Sequence, residues 1–263
     1  ISISAGTINN TGTLRATGGS TMTVTGLASN AGTIDIGALS TFSTNNLALT
    51  NAITGFISGS GTLKLGMVGA TRILTNNGTI QPGGALATGT LTITGDLVMG
   101  ATGTVQVEIQ SLTLFDKIAV SGTATLGGTL SVTHLGGFTP TGSPTFQFMT
   151  FASRTGDFAN FVAPNGFNYP GTPGTTTYII TGQAAPPNEW VLTISGDWNV
   201  AANWSLNHVP TAGEDVVINI TGVTITISTA GMVARSLTSF DNVIIAAGGA
   251  LTLANSSSSI TGT

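Results

Sequence analysis

Aliphatic residues and threonines alternate through most of the chain. The stretches TMTVTG (Thr21–Gly26), TLTITGDL (Thr90–Leu97), GTLSV (Gly128–Val132) and VTITIS (Val223–Ser228) show the pattern most clearly. A period of two is that of a half-buried strand, with aliphatic side chains on one face and hydroxyls on the other. Threonine suits the wet face, because its branched β-carbon favours extended backbone while its hydroxyl stays hydrated. No segment keeps a 3.6-residue period over three turns, and glycine and β-branched residues are poor helix formers. The pattern predicts an all-β protein.

A second regularity sets the architecture. A Gly-Thr-aliphatic tripeptide recurs at Gly6, Gly12, Gly32, Gly61, Gly78, Gly89, Gly103 and Gly128, several times just after Asn, as in NNTGTL (Asn9–Leu14) and SNAGTI (Ser29–Ile34). The step from Gly12 to Gly32 and the slightly shorter one from Gly61 to Gly78 set a loose period. A turn followed by a short strand at about 20-residue intervals reads as a parallel β-solenoid, or β-helix, of roughly 13 coils stacked about 4.8 Å apart. An antiparallel sandwich is the competing architecture, but tight two-residue hairpin signals are few. The pairs Asn9-Asn10, Asn45-Asn46 and Asn76-Asn77 suit amide ladders at solenoid corners.

Two stretches depart from the pattern. Gly137 to Tyr178 is rich in Phe, Pro and Gly, and Phe138, Phe146, Phe148, Phe151, Phe158 and Phe161 are expected to close the end of a solenoid. GQAAPPNE (Gly182–Glu189) then reads as an extended spacer. Beyond it, Trp190, Trp198 and Trp204 precede a fresh alternating run and are read as an opening cap. The expected division is residues 1–182 as coils ending in an aromatic closing segment, 183–189 as linker, and 190–263 as a Trp-bearing cap with the first coils of a new solenoid.

Composition narrows the function classes. Charged residues make up 6% of the chain, against roughly 25% in ordinary soluble domains. The net charge of −4, with six Lys and Arg in all, offers no basic field for nucleic acid or anionic lipid. Mean hydropathy is +0.39, yet polar residues and glycines interrupt every apolar run long before the roughly 18 residues of a spanning helix. With no Cys there is neither a disulfide framework nor a thiolate metal site.

The phrases GTLTITGDLVMGATGTVQVEI (Gly89–Ile109), FDKIAVSGTATLGGTLSV (Phe115–Val132) and GFTPTGSPTFQFMTFASRTGDFANF (Gly137–Phe161) resemble the ends of β-strand-repeat regions in giant bacterial surface proteins and autotransporter-like adhesins. GDWNVAANWSLNHVPTAGEDVVI (Gly196–Ile218) is similar to the Trp-bearing segment that opens the next unit in such arrays. The resemblance implies a secreted, repetitive protein at the cell surface, acting as adhesin, stalk or fibre. It carries over no catalytic residue.

Candidate chemistry is sparse. Asp96 and Asp116, one such period apart, could stack on adjacent coils as a glycosidase-like pair, but both sit in turn-like contexts where Asp bonds its own backbone. Asp197, Glu214 and Asp215, with Asn199 and Asn203, are weak candidates for a Ca²⁺ site, although no regular calcium loop is present. His134 and His208 lie in no metal-ligand spacing. Ser205, His208 and Asp215 have the residue types of a triad without a nucleophile elbow. Trp198 and Trp204 could stack on sugar rings, but tryptophan in an end segment more often covers a core. No enzyme and no cofactor is therefore expected.

The expected function is structural: a repeat unit of an extracellular bacterial filament, joined head to tail with identical copies. An adhesin module binding surface glycans is the alternative, and a β-helix polysaccharide-degrading enzyme a remote one. Writing SITGT before ISISAG continues the alternation across Ile260, Thr263, Ile1 and Ile3 and creates one more Gly-Thr-Ile. Together with the missing Met and end caps, this suggests one period of a tandem polyprotein, or else stacked subunits, with Thr263 beside Ile1 of the next unit.

Overall fold

The computed structural model describes residues 1–66, 72–141, 143–254 and 257–262. It is an all-β structure, a parallel β-solenoid of about 11 turns, whose only helical segment among the described residues is a 3₁₀ turn at Ala201–Asn203. The chain divides into two compact units: Ile1–Pro164 with Asn168–Gln183, and Asn165–Phe167 with Ala184–Thr263.

Each coil of the first unit has three faces. One face is a seven-stranded parallel sheet: Thr13–Ala16, Thr33–Ile36, Phe56–Gly59, Thr79–Pro82, Thr104–Ile109, Thr129–His134 and Asn160–Val162. The other two faces are joined where Thr21–Asn30 runs continuously round a corner, so that together they form one 14-stranded sheet. Register on the seven-stranded face explains five of the eight tripeptides, those at Gly12, Gly32, Gly78, Gly103 and Gly128. Thr13, Thr33, Phe56, Thr79, Thr104 and Thr129 form one column. The residues after them point inward, and Ile34, Ile57, Ile80, Val105 and Leu130 are all completely buried. A phenylalanine at position 56 hides the third copy of the motif from a sequence scan.

The coils are not uniform. Along the register column the step lengthens from Thr13→Thr33 to Thr33→Phe56, again to Thr79→Thr104, and most of all to Thr129→Asn160. Later coils therefore carry longer corner loops, which is why fewer turns form than a constant period suggests. The shorter step from Gly61 to Gly78 is not a coil at all. Gly61 precedes strand Thr62–Lys64 and Gly78 precedes Thr79–Pro82, on different faces.

One corner is built on buried asparagine. Asn10 donates to Asn30 Oδ1, Asn30 to Asn51 Oδ1 and Asn51 to Asn76 Oδ1, each at 2.7 Å. Each amide also bonds the carbonyl of a nearby glycine at 3.1 Å, so the column satisfies its own polar groups inside the corner. Two of the expected positions, Asn10 and Asn76, lie in this ladder. Asn45 and Asn46 instead occupy left-handed backbone, φ 55° and 66°, in a loop. The glycines beside the ladder stack as closely: a Cβ on Gly55 would meet Asn30 O at 2.2 Å, and one on Gly78 would meet Gly55 O at 2.2 Å.

The aromatic segment ends the first unit by reversing strand direction. Thr145–Thr150 pairs antiparallel with Thr177–Thr181, which pairs antiparallel with Gly171–Pro173. Phe146, Phe148, Phe151, Phe158, Tyr169 and Tyr178 are buried, whereas Phe161 is 44% exposed and Phe138 is half-buried. Phe148, Phe158 and Tyr178 pack mutually with ring centroids 5.3–6.2 Å apart.

The second unit repeats the parallel plan on a smaller scale. Asn188–Glu189, Asp215–Ile218, Ser236–Ser239 and Ser259–Ile260 form one face. Gly196–Asp197, Thr224–Ile227 and Asn242–Ile245 form the second, and Met232–Ala234 with Leu251–Leu253 the third. Its core is capped by Trp190, Trp198 and Trp204 over Val216, Ile218, Ile225, Ile227 and Leu237.

Candidate functional site

The three tryptophans pack against one another in that core, and the indole N–H groups of Trp190 and Trp198 are buried without a hydrogen-bond partner among the described residues. Trp204 lies edge-on to Trp190 and to Trp198, at 5.2 and 4.8 Å between centroids, and its Nε1 donates to Trp198 O at 2.8 Å. All three are at most 2% exposed, so no indole face is open to stack on a sugar.

The acidic residues of the second unit are held in separate networks. Asp197 accepts from Ser228 Oγ and, at 2.9 Å, from Asn199 N. Glu214 Oε2 accepts from Thr211 N at 2.7 Å, and its other oxygen lies 3.1 Å from His208 Nε2. Asp215 pairs with Arg235 and Ser236, and the Arg235 hydrogen bonds hold its carboxyl below the usual carboxylate range. Ser205 Oγ accepts from Glu189 N, not from His208. Among the described residues, no group of three His, Asp or Glu side chains could hold a metal ion.

In the first unit Asp96 and Asp116 do not meet as a pair. Asp96 Oδ1 caps Thr123 N at 2.7 Å on the next coil of one face. Asp116 lies at a different corner, where its oxygens accept from Gly89 N at 2.8 Å and Glu108 N at 2.9 Å. Its carboxylate neighbour is Glu108, which takes Leu86 N and Ala87 N at 3.1 and 3.0 Å and lies 3.3 Å from Gln81 Nε2. Both carboxylates are at most 5% exposed, and burial pushes Asp116 up to about 7 against its two amide donors. They staple the loops at 83–89 and 110–116 together. Alternation alone places Glu108 on the wet face of TVQVEI, and only the overlying loop buries it. His134 makes another pair off the expected map: its Nε2 lies 2.6 Å from the hydroxyl of buried Tyr169.

The remaining distinctive surfaces are the coil edges. Ser2–Asn10 pairs in parallel with Thr21–Asn30 and with no other strand among the described residues, and Ile1 and Ile3 are 84% and 38% exposed. In the second unit, among the described residues, Ser259–Ile260 pairs only with Thr238 and Ser239. Ile244, Ile245 and Ile260 there are each more than half exposed. Thr263 lies outside the described residues. No helix among them is long and apolar enough to cross a membrane.

Compared with known families and characterised proteins, the chain matches no family model and no curated sequence.

Proposed function

We propose that this protein is a structural repeat unit of an extracellular bacterial fibre, built from stacked β-solenoid coils and joined head to tail with identical units. The observation that supports this best is the pair of open edges. Among the described residues, Ser2–Asn10 offers one unpaired side of a strand with Ile1 and Ile3 beside it, and Ser259–Ile260 offers another with Ile244, Ile245 and Ile260. Edge strands of this kind are templates for a further strand, and a coil of the same register would bury these isoleucines. That coil can come from the same polypeptide or from a second copy.

The scarcity of charge, the Thr-covered faces and the engagement of the buried and paired carboxylates with their own fold also favour a scaffold over a catalyst. The resemblance to β-strand-repeat surface proteins points the same way and agrees with a fibre at the cell surface.

Negative-stain microscopy and fibre diffraction of the purified chain, and of two copies fused Thr263 to Ile1, test this reading. Filaments with a meridional spacing of about 4.7–4.8 Å are expected. The fused pair should melt as a more stable protein than the single chain, because the junction buries both edges. A monodisperse single chain, together with a fused pair that melts like two independent copies, would rule the proposal out.

A further inference from the structure

The first unit carries a cavity of about 370 Å³ on its outer surface, where strand Lys117–Val120 meets Thr145–Thr150. That volume falls within the roughly 300–1,000 Å³ of small-molecule sites. Three features of the sheet create it. Thr90–Ile93 pairs with Lys117–Val120 over four positions, but Lys117–Val120 pairs with the next strand only at Ile118↔Met149 and Ala119↔Thr150. On its other side, the pairing of that next strand with Thr177–Thr181 carries a register shift between Gln147 and Met149, a bulge-type irregularity. Ala119, between Thr92 and Thr150 in its row, supplies a short floor.

The lining has one charge. Lys117 Nζ stands 4.7 Å from the centroid of the Phe115 ring, and Phe115 packs edge-on against Phe146 at 5.3 Å. The ring thus favours one position for the ammonium by cation–π attraction. Among the described residues Lys117 has no ion-pair partner. The adjacent carboxylate, Asp116, is fully buried and bonded to backbone amides. Elsewhere in the lining, Thr90, Thr150 and Gln147 offer two hydroxyls and a carboxamide, which both donate and accept.

From this geometry we infer that the cavity binds a hexuronate unit of an acidic polysaccharide. The sugar carboxylate pairs with Lys117, and its hydroxyls meet Thr90, Gln147 and Thr150. One cation matches one carboxylate, whereas a phosphate dianion calls for more positive charge than the lining has. A cationic or zwitterionic ligand would find no free acid in the lining. The site is independent of the fibre reading, since it needs only one folded unit.

Isothermal titration of the whole chain with trigalacturonate and with trimannuronate, and with neutral maltotriose as control, tests the inference. At least one uronate trimer should bind saturably while maltotriose does not. Lys117→Gln should weaken binding at least tenfold, and Lys117→Arg should retain most of it. Ala119→Leu fills the floor and should abolish binding while leaving the circular dichroism spectrum unchanged. Neither replaced side chain belongs to the buried phase of its strand, so the fold does not depend on them. No saturable binding of either uronate, equal binding of maltotriose, or wild-type affinity in either Lys117→Gln or Ala119→Leu would each overturn the assignment.

Discussion

The side-chain amide of Asn51 donates to Oδ1 of Asn76 at 2.7 Å while its own oxygen accepts from Asn30 at the same distance. Both neighbours are completely buried. Removing one rung therefore takes the ladder donor from Asn76 Oδ1 and leaves Asn30 Nδ2 with only backbone carbonyls, beside a cavity in a buried corner. Asn51→Ala should cost about 2–5 kcal/mol, read as a lower urea midpoint at unchanged slope. Asn9 is exposed and bonds Ser29 at the surface, so Asn9→Ala should stay within about 0.5 kcal/mol. Equal small effects would mean that the ladder adds nothing to stability.

The glycines of the same corner divide by what surrounds them. A Cβ on Gly55 would lie 2.2 Å from Asn30 O and 2.3 Å from Asn51 Oδ1, both fixed by the ladder. Gly55→Ala should destabilise by about 3 kcal/mol or more through overpacking. Gly12 sits in the equivalent turn of the first coil with nothing within 4 Å of the added atom. Gly12→Ala should change stability by less than about 1 kcal/mol. Thermal melts of the two variants side by side make the comparison.

Trp198 and Trp204 are the largest fully buried side chains of the second unit. Either one changed to Ala should cost about 3–5 kcal/mol. The loss should appear in the transition reported by the remaining tryptophans' fluorescence, since all three belong to this cap. Trp204→Phe keeps most of the packing but leaves Trp198 O without its 2.8 Å donor, so a smaller loss of about 1–3 kcal/mol is expected.

Asp116 gives the fold an uncommon pH dependence. Its carboxyl is raised from 3.8 to about 7 in the folded state, so between these values the native protein holds a proton that the unfolded chain releases. Stability from this group is full below about pH 4, falls as pH rises towards 7 and is flat above. The swing is at most about 4 kcal/mol at roughly 1.4 kcal/mol per unit. Asp215, lowered by Arg235, has the opposite sign, and its contribution is lost only as pH falls below the ordinary aspartate range. Asp116→Asn should flatten the stability profile between pH 4 and 7. An unchanged slope in that variant would place the titration elsewhere.

Much of the architecture could be read from local pattern. Alternation announced strands, the recurring Gly-Thr-aliphatic phrase announced stacked turns, and the Phe-rich stretch at Gly137–Tyr178 announced an irregular end. These features were legible because each depends on neighbours two or three positions away: which face a side chain takes, and whether a corner tolerates a Cβ. Phe161 shows the limit, since its place in a hydrophobic cluster did not decide that it would stay 44% exposed.

What tertiary structure alone decided is which residues share a corner across successive coils. Asn30 and Asn51 belong to no Asn pair, yet both are rungs of the ladder because register puts each directly above the next. Glu108 follows the wet phase of its strand and is buried only because the loop at 83–89 folds over it. Asp96 and Asp116 have the spacing of one early coil but occupy different corners, because loop insertions had lengthened the later coils beyond that spacing. Alternation depends on the next residue but one; stacking depends on every loop in between, and loop lengths carry no period.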